Sequence, residues 1–136
     1  MSRPTQFAIN LQALCENAKT LKSLAGPRST MAVVKADAYG HGAVQCAMAL
    51  SPLVDAFAVA ITEEAIALRD AGIELPILVL QGPHSREDAH LMSSAALWPA
   101  ISGEHQIDWL EHTGAQFEQV WLKCDTGMHR LGFMPH

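Results

Sequence analysis

The chain has 136 residues, of which 49% are hydrophobic and 17% charged, and its formal net charge at pH 7 is −5. This composition excludes an intrinsically disordered chain, and an acidic chain without a Lys/Arg cluster is a poor candidate for nucleic-acid binding. The apolar runs fall far short of the ~20 residues that cross a bilayer, and the N-terminus lacks the apolar segment of a secretion signal. We therefore expect a soluble cytoplasmic protein with no membrane partner, whose three cysteines are reduced thiols.

Short β-rich runs alternate with helical segments along the chain. Their starts lie about 20 to 26 residues apart, which matches a strand-plus-helix unit and implies a parallel sheet. The five predicted strands cover residues 30–35, 56–60, 76–81, 96–101 and 119–124.

Capping residues set the limits of the predicted helices. Polar side chains that accept backbone N–H groups are expected at the starts, and glycine or a Ser-Pro step at the ends. In chain order the limits are Asn10 and Gly26, Ala43 and Ser51, Thr62 and Gly72, Ser85 with Asp88 in its first turn, and Ser102 and Gly114.

Two architectures fit five strand-plus-helix units. One is a complete doubly wound open sheet; the other is the first five units of a (β/α)₈ barrel, which typically needs about 250 residues. The chain ends at residue 136, just past the fifth predicted strand, and a finished α/β domain seldom ends with its last strand uncovered. The pattern therefore favours part of a parallel (β/α)₈ barrel.

Lys35 ends the first predicted strand, directly before a glycine-containing loop. Strand alternation puts Lys35 on the same face as Met31 and Val33, and puts Ala32 and Val34 on the other. Active sites lie at the carboxyl ends of the strands in both architectures, and a lysine held there suits Schiff-base chemistry. Judged by spacing alone, a lysine whose amine only reaches to water is the more common structure.

Three further side chains have ordinary structural interpretations on spacing alone. Tyr39 would be a packed aromatic with a solvated hydroxyl, Lys123 a partner of Asp125, and Arg130 a surface arginine beyond the last strand. The histidines lack the spacing of metal ligands, so we predict no metal site.

Two long motifs change these interpretations. The string VVKADAYGHG at residues 33–42 closely resembles the pyridoxal-phosphate attachment segment of bacterial alanine racemases. The string LKCDTGMHRLG at residues 122–132 resembles a second signature of the same family, and residues 3–14 and 63–72 also fit it. The likeness therefore runs the length of the chain, in the right order.

The resemblance implies a fold, a cofactor and four residue roles. Residues 1–136 would form an incomplete N-terminal (β/α)₈ barrel of the fold-type-III pyridoxal-phosphate enzymes. Lys35 matches the lysine that forms an imine with the cofactor and serves as one of two catalytic bases. Tyr39 matches a tyrosine that contacts the cofactor phosphate, and Arg130 an arginine that helps bind the substrate carboxylate. Lys123 matches a lysine that is carbamylated in some members.

The resemblance also implies what residues 1–136 lack. The family's second base is a tyrosine of a C-terminal β domain, donated by the partner subunit of a homodimer, and no residue of this chain matches it. We therefore expect the full-length protein to racemise alanine for peptidoglycan synthesis and this chain alone to be inactive. The alternatives are a racemase with a broader amino-acid range and a non-catalytic fragment that only holds pyridoxal phosphate.

Overall fold

A computed structural model of the chain describes residues 6–112, 114 and 116–135. None of the helices in these residues has the length and apolar character that a bilayer crossing requires. The elements, in chain order, are α1 (Leu11–Ala25), β1 (Met31–Val33), α2 (Lys35–Gly40), α3 (Ala43–Leu50), β2 (Ala56–Val59), α4 (Thr62–Asp70), β3 (Ile77–Val79), α5 (Arg86–Ser94), β4 (Trp98–Ile101), α6 (Glu104–His112) and β5 (Trp121–Leu122).

All five strands are parallel, and they pair in the order β1-β2-β3-β4-β5. Because parallel crossovers are right-handed, this sequential order brings successive helices to one face of the sheet, where α3 contacts α1 and α4. A doubly wound sheet instead reverses its strand order and carries helices on both faces. The topology is therefore that of a segment of a (β/α)₈ barrel, which confirms the predicted fold class.

The two faces of the sheet pack against different surroundings. Phe57, Val59, Ile77 and Val79 face the helices and belong to the larger apolar core. Residues in the alternate positions point to the other face, which is the interior side of the barrel. On that face lies a smaller apolar cluster, the interior cluster. It contains Ala58, Leu78 and Ala100, with Met31, Leu80 and Trp98 packed against them.

Several predicted caps are present. The Asn10 side chain accepts a hydrogen bond from the Ala13 N–H at 3.0 Å, and Gly26 ends α1 with φ of 67°. Ser85 accepts from the Asp88 N–H at 3.1 Å, as the capping pattern predicted.

Two predicted N-caps, Thr62 and Ser102, were wrong for the same physical reason. Thr62 is the first residue of α4 and is buried, whereas the Glu64 carboxylate accepts the Ala60 N–H at 2.7 Å. Likewise α6 begins at Glu104, and Gln106 accepts the Ser102 N–H at 2.7 Å. In both helices a long side chain in the first turn reaches back and satisfies N–H groups that a short cap would otherwise bind.

Arg69 of α4 holds the loops that enter β3 and β4. Its guanidinium donates to the carbonyls of Ile73 at 2.6 Å, Leu75 at 2.8 Å, Ala95 at 3.1 Å and Ala96 at 3.1 Å. Burial lowers the pKa of the Arg69 guanidinium from its ordinary value. One side chain therefore fixes two loops on the side of the sheet opposite the carboxyl ends of the strands.

Replacing Arg69 by lysine should destabilise the protein. A single ammonium cannot match the planar guanidinium against four carbonyls, so we expect the free energy of unfolding to fall by about 2–4 kcal/mol. Urea unfolding measures this, with Arg86→Lys on exposed α5 as the control, expected to change it by less than about 0.5 kcal/mol. Equal small effects for both variants would contradict this role of Arg69.

Candidate active site

The segment after β1 forms a left-handed turn, α2, which we call the lysine turn (Lys35–Gly40). Ala36, Asp37, Ala38 and Tyr39 have φ between 51° and 56°. For residues with a side chain this conformation costs roughly 1–2 kcal/mol each, so the surrounding structure must hold it.

The prediction that Lys35 is the last residue of the first strand, directly before a glycine-containing loop, was wrong. β1 ends at Val33, although the Val34 N–H still donates to the Ala58 carbonyl at 2.9 Å. Residues 36–39 then adopt a left-handed backbone conformation. None of them is glycine, so the sequence gives no sign of this conformation. The predicted faces of Met31, Ala32 and Val34 are confirmed, because Ala32 and Val34 pack with the larger core on the helix side and Met31 with the smaller interior cluster.

Two carboxylates hold the lysine turn, one at its beginning and one in its middle. Glu64 accepts the Ala36 N–H at 2.6 Å, and Asp37 accepts the Ala43 N–H at 2.7 Å. Hydrogen bonds to an ionised acceptor are stronger than those between neutral groups. The first of them ties the beginning of the turn to α4, and the second ties its middle to the start of α3.

Lys35 lies at a cavity at the carboxyl ends of the strands, which we call the mouth cavity. Its volume is about 340 Å³. Three cationic side chains on one wall favour an anionic ligand. The lining residues are Lys35, Leu80, Gln81, Lys123, Arg130 and Leu131.

Tyr39 takes a different position from the other three predicted site residues. It lines a neighbouring, mainly apolar cavity of about 480 Å³ between α1, β1 and the lysine turn, and it is 62% exposed. The Lys35 Nζ lies 6.0 Å from the centroid of the Tyr39 ring, at the limit of a cation–π contact. The structure thus brings Lys35, Lys123 and Arg130 around one cavity and places Tyr39 beside Lys35.

Asp125 organises the loop that carries Arg130. Its side chain is buried and accepts the N–H groups of Gly127 at 3.1 Å and His129 at 2.9 Å. The His129 ring lies 3.3 Å from the same carboxylate. These hydrogen bonds lower the pKa of Asp125 from its ordinary value, and the bond from the His129 N–H contributes most to the shift. The carboxylate therefore serves its own loop, and its ion-pair partner among the described residues is His129, not Lys123, the partner that spacing alone suggested.

Sequence reasoning missed the carboxylates of Glu64, Asp37 and Asp125. For Glu64 a signal existed, since a glutamate at the third helical position is part of the capping box. The preference for threonine as N-cap moved the predicted start of α4 by one residue and hid it. Asp37 and Asp125 bind backbone groups whose conformations the sequence does not reveal. Within the described residues, no group of three or more His, Cys, Asp or Glu side chains is arranged to hold a metal ion.

Residues 9–136 match the family described as "Alanine racemase, N-terminal domain". The chain is 48% identical over 134 residues to the alanine racemase of Xanthomonas axonopodis pv. citri, covering 98% of this chain and 36% of that protein. It is 45% identical over 135 residues to the alanine racemase of Neisseria gonorrhoeae, covering 98% of this chain and 38% of that protein. The chain thus spans a little over a third of the length of these relatives.

Solved structures agree with the sequence comparisons. The chain is similar to the biosynthetic alanine racemase of Pseudomonas aeruginosa, with a TM-score of 0.81, 38% identity, and coverage of 90% of this chain and 35% of that one. It is also similar to the alanine racemase of Corynebacterium glutamicum, with a TM-score of 0.82, 36% identity, and coverage of 90% and 36%.

Replacing Ala36 by glycine should stabilise the protein. Ala36 is exposed and left-handed, so the substitution removes the cost of its conformation and little packing. After the backbone entropy of glycine is subtracted, we expect the free energy of unfolding to rise by about 0.5–1 kcal/mol. Ala67→Gly in right-handed α4, also exposed, should lower it by about 1 kcal/mol. Denaturant unfolding of both variants checks the opposite signs, and a loss of stability in both would contradict the left-handed turn.

Proposed function

The chain belongs to the alanine racemase family, and from that membership we propose that the protein that carries it interconverts L-alanine and D-alanine with pyridoxal phosphate as cofactor. The observation that carries the proposal is the position of Lys35, which shares one cavity with Lys123 and Arg130 at the carboxyl ends of the strands. The peptide N–H that follows Lys35 is bound by a carboxylate of α4. The curated relatives described above are alanine racemases, which favours alanine over a broader range of amino acids.

The residues around Lys35 fit pyridoxal phosphate. The cofactor needs a primary amine for covalent attachment, and its phosphate needs cations and hydrogen-bond donors. Lys35 offers the amine, the cationic wall of the mouth cavity favours an anion, and the exposed hydroxyl end of Tyr39 is a donor beside them. A volume of about 340 Å³ lies within the range of small-molecule sites.

The proposed roles of the side chains follow from their chemistry. Bound pyridoxal phosphate supplies the electron sink that allows the α-proton of an amino acid to be removed. Lys35, through Nζ, anchors the cofactor and takes or returns that proton on one face of the substrate. Arg130 presents a planar fork to the alanine carboxylate and so orients the Cα–H bond towards the base.

Lys123 is the proposed site of carbamylation. Its side chain lines the same cavity as Arg130, and a carbamate there would offer the guanidinium a bidentate anionic partner. This modification would fix the direction in which Arg130 points.

Inversion at Cα requires a second base on the opposite face, because one base alone tends to return the proton to its own side. We propose that this base comes from the C-terminal domain of a partner subunit, so that the working protein is a homodimer. The proposed setting is the cytoplasm, where D-alanine would serve peptidoglycan synthesis; the unpaired thiols of Cys15, Cys46 and Cys124 fit a reducing compartment.

Borohydride reduction with pyridoxal phosphate present should attach the pyridoxyl group to Lys35. The reason is that Lys35 lines the mouth cavity and lies in the segment that resembles the cofactor attachment motif, whereas Lys123 lies in the second motif and Lys19 and Lys22 lie on α1. Peptide mass spectrometry locates the label, and Lys35→Ala should abolish it. Equal labelling of Lys19, Lys22 and Lys123 would refute the assignment.

The 136-residue chain expressed by itself should not racemise alanine at an appreciable rate. It carries one proposed base, and a general base contributes typically ~10²–10⁴-fold in rate. The comparison is with the same chain extended through a C-terminal domain, following D-alanine formation from L-alanine at saturating cofactor. If the short chain turns over within about tenfold of the long one, the second base is not where we propose it.

A further inference from the structure

The Glu64 carboxylate joins the carboxyl ends of two neighbouring strands. One oxygen accepts the Ala36 N–H at 2.6 Å, just beyond β1, and the other accepts the Ala60 N–H at 2.7 Å, just beyond β2. The second oxygen also lies 3.4 Å from the Ile61 N–H. One side chain therefore satisfies backbone donors from two different loops.

The Ala36 N–H is a sensitive point at which to hold Lys35. It belongs to the peptide unit whose carbonyl is that of Lys35, and a peptide unit is planar. Fixing this N–H therefore fixes ψ of Lys35, and with it the direction in which the side chain leaves the backbone. Ala36 is also the first left-handed residue of the lysine turn.

We propose, on the basis of the proposed function above, that Glu64 is a positioning residue for Lys35. Its carboxylate holds the first peptide of the lysine turn against the end of β2, so that the Lys35 side chain leaves the backbone beside the mouth cavity that it lines. It touches neither substrate nor cofactor in this role.

A purely structural role would be that of a helix cap for α4. The bonds to Ala60 and Ile61 would satisfy that role by themselves, because Ile61 is the N-cap of α4 and Ala60 precedes it. The bond to Ala36 is not local, since Ala36 lies 28 residues before Glu64 in the chain. Loss of the helix cap would change the stability of the whole protein, whereas loss of the bond to Ala36 would change the lysine turn.

Adjacent residues provide a matched control. Glu63 lies next to Glu64 in the first turn of α4 and is exposed. Glu63→Gln and Glu64→Gln make the same change of charge on the same helix. Glu64→Gln keeps one carbonyl oxygen and can still accept one N–H, whereas Glu64→Ala can accept none.

Backbone amide exchange in the cofactor-free, full-length protein is the first measurement. In Glu64→Ala we expect amides of the lysine turn to exchange about tenfold faster or more, because a charge-assisted hydrogen bond is lost. Glu64→Gln should fall between this variant and the wild type, and Glu63→Gln should match the wild type. Unchanged exchange of residues 36–40 in both Glu64 variants would overturn the proposal.

The second measurement is the rate at which pyridoxal phosphate and borohydride label Lys35. We expect Glu64→Gln to slow labelling and to lower kcat by about tenfold, with KM for alanine changed much less, because the substrate contacts remain. Glu63→Gln should change neither. Wild-type labelling and kcat in Glu64→Gln would also overturn the proposal.

The outcomes separate the two proposals. If Lys35 of the wild type takes no label, the proposed function fails, while amide exchange still decides whether Glu64 holds the turn. If the wild type is labelled and the Glu64 variants match it in labelling and exchange, only the positioning role fails. Should Glu64→Ala not fold, the near-isosteric Glu64→Gln decides by the same two measurements.

Discussion

Parallel pairing in chain order is the constraint on which the rest of this structure depends. Because each strand runs beside the one before it, all carboxyl ends lie at one edge, and residues 90 or so apart in the chain meet there. Lys35 follows the first strand and Lys123 the fifth, yet both line the mouth cavity. The same order fixes the two faces, with helices on one and a smaller apolar cluster on the other.

The lysine turn at that edge has a backbone conformation that is unfavourable without contacts from the surrounding structure. The lysine turn places four residues with side chains in a conformation that favours glycine, and the carboxylates that bind at its beginning and in its middle offset part of that cost. Glu64 and Asp37 accept backbone N–H groups, while the mouth cavity presents cationic side chains. The two carboxylates thus hold the backbone of the lysine turn, whereas the cationic side chains line the mouth cavity.

Periodicity predicted the parts of the molecule that repeat. Strands, helices and the faces of β1 followed from alternation and from caps such as Asn10, because burial and local hydrogen bonds act at short range. The left-handed backbone of the lysine turn did not, since its residues are not glycines and one of its hydrogen bonds is to Glu64, 28 residues away. The edge of the sheet at which Lys35 lies was expected from the end of its strand, whereas the loop that presents Arg130 depends on the buried Asp125.

Sequential pairing also bears on how the protein is made. Each strand finds its partner in the segment synthesised just before it, so βα units can dock one after another as the chain leaves the ribosome. In β5 the side chains of Trp121 and Leu122 are 41% and 65% exposed, and just beyond it Cys124 pairs with Phe133. At every stage of synthesis the newest strand offers an open edge until its next neighbour pairs with it. Such a growth edge is a template for the next strand of the same chain, and equally for a neighbouring nascent chain. Any slowing of synthesis while such an edge is open therefore lengthens its exposure to aggregation.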